Sequence, residues 1–313
     1  MMDEVEIFAL GEAMVEFNQT DPALHLYQQG FGGDTSNAII AAARHGARTG
    51  YLSSVGKDMF GDMLLALWQR EGVNTCNVTR SDCDTGAYFV THNSEGHEFH
   101  FLRRHSAASV MQPGSFDFSC LAGARFLHVS GISQAISASA CDTVRSAIQA
   151  ARQYGVRVSF DSNLRLKLWS AERALREMEA TLPAVDLFLP SLDDMKSMIG
   201  TDEPVAIVDW SLARGCTSVV LKLGKRGALV ATRDERKHLP GHAVQAVDAT
   251  GAGDCFAGSL LARLVAGDSL VQAATYANAA AALSTLGYGA VESIPRQPEV
   301  LAFLSTAVVQ LSS

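Results

Sequence analysis

Asp248-Ala-Thr-Gly-Ala-Gly-Asp254-Cys-Phe-Ala-Gly258 decides how the rest of this chain is read. Small residues lead straight into an apolar-periodic segment, the pattern of a tight turn that opens a helix. Such a turn points backbone N–H groups at one spot, and the helix dipole adds positive potential there. Gly251, Ala252 and Gly253 therefore form a candidate anion hole. Asp254 stands at the start of the same helix. A carboxylate beside an anion is unfavourable unless it has work to do. The work available is to accept a proton from a hydroxyl that attacks phosphorus. The alternative is that Asp254 only caps the helix. No Gly-Lys-Ser/Thr closes the run, so it is not a Walker loop.

Outward from this turn the chain alternates strands with helices. Before it, strands are expected at 5–10, 51–55, 126–129, 156–160, 187–189 and 218–222. Helices are expected at 37–45, 60–71, 137–154, 171–181, 192–199 and 205–214, and after the turn at 252–266, 270–286 and 297–311. An antiparallel hairpin is expected from 228–232 and 237–239. This alternation argues for an α/β fold with a mostly parallel sheet covered on both faces. Two regions break the rhythm. Residues 12–31 read as short extended stretches with turns. Runs at 86–91 and 98–103, joined by Asn93-Ser-Glu-Gly96, read as a hairpin outside the main sheet. The expected organisation is one core domain (1–11, 34–83 and 106–313) with a small β appendage (12–33 and 84–105).

The 313 residues are 48% hydrophobic and 19% charged, enough for a large core. A net charge of −8 disfavours nucleic acid as a partner. The most apolar stretch, 271–286, is broken by Gln272, Thr275, Asn278, Ser284 and Thr285, and reads as a buried helix rather than a membrane span. The acidic first ten residues run directly into a strand and do not read as a secretory signal. The six scattered cysteines form no CxxC pair, and a cytoplasmic location with reduced thiols is expected. The nine histidines show no HxxxH or HxH spacing, so no dedicated transition-metal site is expected.

The stretch 248–259 resembles the C-terminal signature of the ribokinase-like (PfkB) carbohydrate kinases. Gly32-Gly33-Asp34-Thr35-Ser36-Asn37 resembles the N-terminal sugar-binding signature of the same family. Two signatures in the right order, far apart, are more specific than either alone. Within the family, five stretches resemble the kinases of 2-keto-3-deoxygluconate. They are Gly30 to Asn37, Phe101 to Ser109, Val129 to Ile132, Phe160 to Arg165 with Leu168-Trp169, and Ser191 to Asp194. The resemblance implies a three-layer α/β/α sandwich with a β lid. It also implies ATP-dependent phosphorylation of a primary hydroxyl on a small-molecule sugar acid. Exposed lid edges fit a homodimer. Fructose, ribose or a related keto-deoxy acid are the rival substrates, and a non-catalytic sugar sensor is the rival class.

The resemblance makes Asp254 the catalytic base, with Gly251, Ala252 and Gly253 as the anion hole. It puts Gly33, Asp34 and Asn37 on the sugar, where Asp and Asn match hydroxyls; Asp34 also suits a helix cap. Arg103 and Arg165 are the candidates for a substrate carboxylate, which a guanidinium meets with two parallel hydrogen bonds. Alternation turns Arg104 the other way. Phe101 stands where tyrosine is expected, and Tyr88 on the facing strand is the expected substitute hydroxyl. For ATP the resemblance points to Asn163, Ser191, Lys222, Gly224, Gly227, Thr250, Gly253, Asn278 and Ala282. Asp194 is a candidate for organising Mg²⁺ through water. Asp248, with Thr250, is a candidate for a monovalent cation, K⁺.

Overall fold

The computed structural model describes residues 4–311 apart from 22, 94 and 95, and not the side chains of 92–97 or 307–311. The chain begins β1 (Ile7–Leu10), β2 (Met14–Asp21), β3 (Leu26–Gly32), α1 (Asp34–Arg44), β4 (Thr49–Gly56), α2 (Met59–Arg70), β5 (Val73–Asn74) and β6 (Val78–Ser81). β7 (Ala87–Asn93) and β8 (Gly96–Leu102) follow; Ser94 and Glu95, in the expected turn between them, lie outside the described residues. Then come β9 (Phe126–Ser130), α3 (Gly131–Ala135), α4 (Ala138–Gln153), β10 (Arg157–Asp161), α5 (Ala171–Thr181), β11 (Leu187–Leu189), α6 (Leu192–Ile199) and α7 (Pro204–Ala213). β12 (Ser218–Lys222), β13 (Ala228–Ala231), β14 (Arg236–Leu239), α8 (Ala252–Val265), α9 (Leu270–Ser284) and α10 (Gln297–Leu311) complete the chain.

Two sheets result. The main one has ten strands in the order β14-β13-β12-β11-β10-β9-β1-β4-β5, with β6 also on β4. Only the β12–β13 and β13–β14 pairs are antiparallel. Side chains alternate across β1, as a strand buried on both faces requires. Ile7 and Ala9 pack with Ile39, Leu64, Leu260 and Ala277 from one helix layer. Phe8 and Leu10 pack with Val144, Met178 and Ile207 from the other. The second sheet is small, in the order β3-β2-β7-β8.

Two glycines fix how the signature helices meet. Gly33, with φ of 133°, lets α1 start directly at Asp34, three residues before the helix read from sequence. Gly258 lies against α1, where a Cβ would stand 2.0 Å from the Ala38 carbonyl oxygen. α1 and α8 therefore touch backbone to backbone, bringing the two signature segments together. The extended stretches read within 12–31 are β2 and β3, which pair antiparallel with one irregularity between Gln19 and Asp21. The short elements β5, β6 and α3 have too few residues to show a period, and the sequence reading has no counterpart for them.

Candidate active site

A cavity of about 1010 Å³ opens between the two sheets, at the carboxyl ends of the parallel strands. Asp34, Asn37, Asn163 and Asp254 meet on its wall. The Asn37 amide donates to Asp254 Oδ2 at 2.8 Å. The Asn163 amide donates to Asp34 Oδ2 at 3.2 Å and to Asp254 Oδ1 at 3.5 Å. Asn163 holds a left-handed backbone, φ 30°, which asparagine tolerates better than most residues. Its own N–H donates to Asp161 and stabilises that bend. Asn163, expected beside the phosphates, thus directs its amide at the two carboxylates.

Burial first, and then the nearby Asp34 charge, raise the pKa of Asp254 to about 8 against the opposing Asn37 bond. Burial raises Asp34 as well. Such a carboxylate is a stronger base than a solvated one, as proton acceptance requires. Asp34 Oδ1 and Asn37 Oδ1 are buried with no hydrogen-bond partner. Two orphaned acceptors on a cavity wall match a ligand that brings hydroxyl donors. Gly33, not Asp34, is the N-cap of α1, which leaves Asp34's side chain to the cavity.

α8 starts at the left-handed Gly251 with no side-chain cap, so its first N–H groups face the cavity uncapped. Lys222 ion-pairs with the buried Asp161, and its ammonium lies beside Gly253, 3.3 Å from where a Cβ would stand. Helix terminus and ammonium converge on one point, an electrostatic seat for a phosphoryl group. Asp194 lines the cavity too, with one carboxylate oxygen taken by the Ser162 hydroxyl at 2.7 Å and the Leu164 N–H at 3.2 Å. Ser191 caps α6 through its hydroxyl. Among the described residues no three His, Cys, Asp or Glu cluster as a metal site.

Arg103 and Phe101 line the side formed by the small sheet; Arg104 is exposed, but in the turn after β8 rather than by strand alternation, because the strand ends at Leu102. Arg165 is exposed at the rim, its Nη1 donating to the carbonyl of Leu164. Tyr88 departs from expectation. Its hydroxyl donates to the buried Glu16, so it is not a free donor for a sugar. The two strands pair side by side, which places the hydroxyl on Glu16 before any ligand arrives.

Gly224 and Thr250 line the cavity; Gly227, Asp248, Asn278 and Ala282 do not. Gly227 packs on the turn after β14, where a Cβ would meet the Leu239 carbonyl at 2.0 Å. Asp248 accepts from Thr250 N–H and hydroxyl and from Gly289 N–H, tying the turn before α8 in place. The Asn278 amide donates to the Pro240 carbonyl at 2.7 Å, and the residue is buried rather than solvated. The sequence reading overlooked Glu12, which is buried on the cavity wall in an ion pair with Arg103.

An α/β sandwich with a buried carboxylate of raised pKa facing an uncapped helix terminus suits phosphoryl transfer to a hydroxyl compound. The chain belongs to the pfkB family of carbohydrate kinases, whose family model matches residues 5–297. It is 31% identical to the 2-dehydro-3-deoxygluconokinase of Bacillus subtilis (strain 168), over 96% of each chain. It is equally 31% identical to Fructokinase-1 of Zea mays, over 96% of this chain and 98% of that one. A ribokinase-like protein from E. coli, solved with ATP and Mg²⁺, superposes with a TM-score of 0.89 at 26% identity. That match covers 96% of this chain and 99% of the other. The chain is therefore a sugar kinase with the ribokinase-like fold.

Proposed function

We propose that this kinase phosphorylates the primary hydroxyl of 2-keto-3-deoxygluconate, the compound also called 2-dehydro-3-deoxygluconate. One observation carries the substrate reading. Orphaned acceptors on Asp34 and Asn37 share a cavity with the buried guanidinium of Arg103, whose Nε also has no hydrogen-bond partner. Hydroxyls match the first pair and a carboxylate matches the second. Arg165 adds positive charge at the rim of the same cavity. A neutral ketose brings no carboxylate for the Nε that the Glu12 ion pair leaves without an acceptor.

In the reaction, Asp254 takes the proton of the attacking hydroxyl. The substrate oxygen bonds to the γ-phosphorus, the bond to the β-phosphate oxygen breaks, and ADP leaves. The N–H groups at the start of α8 and Lys222 face the charge that develops. Asp194 would hold Mg²⁺ through the ion's water shell, and the ion would neutralise charge on the ATP phosphates. The small sheet acts as a lid that excludes water. K⁺ near Asp248 and Thr250, a cytoplasmic location and a homodimer built on lid edges complete the reading.

ADP release with MgATP across 2-keto-3-deoxygluconate, its galactonate epimer, fructose and ribose tests the substrate. Selective turnover of a keto-deoxy acid, lost in Asp254→Asn, is the expected result. Turnover restricted to fructose, the activity of the maize relative, overturns the acid reading and keeps the kinase. Light scattering tests the dimer, and replacing K⁺ by choline tests the cation.

A further inference from the structure

The chain crosses four times between the main and small sheets, and one buried carboxylate stands among the crossings. Glu12 lies on the first, between β1 and β2, and is 2% exposed. Its Oε1 accepts the Ser106 hydroxyl at 2.5 Å, and its Oε2 ion-pairs with Arg103 Nη2. Both partners belong to the last crossing, after β8. A Cβ on Gly33, at the second crossing, would stand 2.4 Å from the Glu12 carbonyl oxygen. A Cβ on Gly86, at the third, would stand 3.1 Å from Glu12 Oε1.

Arg103 sits on a long, flexible stem, and its planar fork reads a carboxylate only when its plane is fixed. Glu12 supplies that restraint and balances the charge while the site is empty. The buried Nε still lacks an acceptor. The guanidinium is therefore held by one carboxylate and left short of another.

We propose that Glu12 is a positioning residue for substrate specificity, acting through Arg103 to aim it at the carboxylate of the sugar acid. This rests on the acid-substrate reading above. The two residues act as a unit. Without Arg103, Glu12 is an unpaired buried anion beside an anionic substrate, and repels it.

A double-mutant cycle tests the unit, with KM and kcat measured on 2-keto-3-deoxygluconate. Arg103→Ala is expected to raise KM about 100-fold, a size seen when one partner of a buried charge pair is truncated. Adding Glu12→Gln is expected to recover roughly tenfold of that loss, because the repelling charge is gone. Glu12→Gln alone is expected to raise KM about tenfold with kcat little changed, since the base is untouched. Effects that simply multiply overturn the role of Glu12, as does a fall in kcat at constant KM. Should the Glu12 variant fail to fold, Ser106→Ala loosens the carboxylate's other anchor; an unchanged KM there also overturns the role. Wild-type turnover of fructose but of no keto-deoxy acid overturns the substrate reading instead, and this inference with it.

Discussion

The Asn37 amide holds the Asp254 carboxylate at 2.8 Å, across 217 residues of chain. One belongs to the first helix of the fold and the other to α8, so the proposed base is oriented by a residue that is also the proposed sugar contact. Loss of the base is expected to be severe and specific. Asp254→Asn keeps the shape and the Asn37 contact but cannot take a proton. We expect kcat to fall by about 10²–10⁴-fold, the usual worth of a positioned general base. Steady-state assays with MgATP check this, and a kcat within about threefold of wild type would remove Asp254 from the chemistry.

The same carboxylate leaves a mark on stability. Its pKa is raised in the fold, to about 8, so the native state holds a proton that the unfolded chain releases near the ordinary aspartate value. Between those limits the unfolded state binds fewer protons, and stability falls as pH rises. Asp254→Asn removes that penalty. Its melting temperature is expected to exceed wild type by a margin that grows from pH 5 to pH 9. Melting curves of the ligand-free proteins across that range decide it, and a pH-independent difference would contradict the raised pKa.

In its effects Lys222 lies between the proposed base and the proposed phosphoryl seat. It pairs with Asp161 and lowers the pKa of Asp254 by its charge. Lys222→Met leaves Asp161 buried and unpaired, which costs about 3–5 kcal/mol of stability. It also removes a cation from the base, so the acid limb of kcat/KM is expected to move to higher pH. The shift in that limb is read from pH–rate profiles of the two proteins. A loss of stability without any shift would place Lys222 outside the electrostatics of Asp254.

Much of this architecture is legible before folding. The period of the strands and helices gives the main sheet, because residues buried on both faces leave continuous apolar runs such as 7–10. The glycine turn at 251–253 announces the helix terminus that faces the cavity. Other features depend on which segments meet. Glu12 and Ser106 are 94 residues apart, and no local pattern joins them. Tyr88 reads as a free hydroxyl from its strand position, yet the parallel pairing of β2 with β7 sets Glu16 beside it. Asn278 reads as a polar residue on an alanine-rich helix, and only the turn after β14 supplies its partner, the Pro240 carbonyl. Short elements escape for a different reason, since β5 has two residues and carries no periodicity.

Gly258 carries the last expectation, because it separates packing from chemistry. Its Cα faces Ala38 of α1, and a methyl group there would lie 2.0 Å from the carbonyl oxygen of Ala38 and 2.8 Å from the Cβ of Ala41. Backbone cannot yield as a flexible side chain can, so Gly258→Ala must push α1 and α8 apart. Overpacking of this kind costs about 1–3 kcal/mol. The displacement also moves Asn37 away from Asp254, since each rides on one of the two helices. Activity is therefore expected to fall at temperatures well below the melting point, by kcat more than by KM. Measuring both constants alongside the melting curve separates the cases. A less stable protein with wild-type kcat would show that the Asn37–Asp254 bond survives the shift, and that the close approach of the two helices serves stability alone.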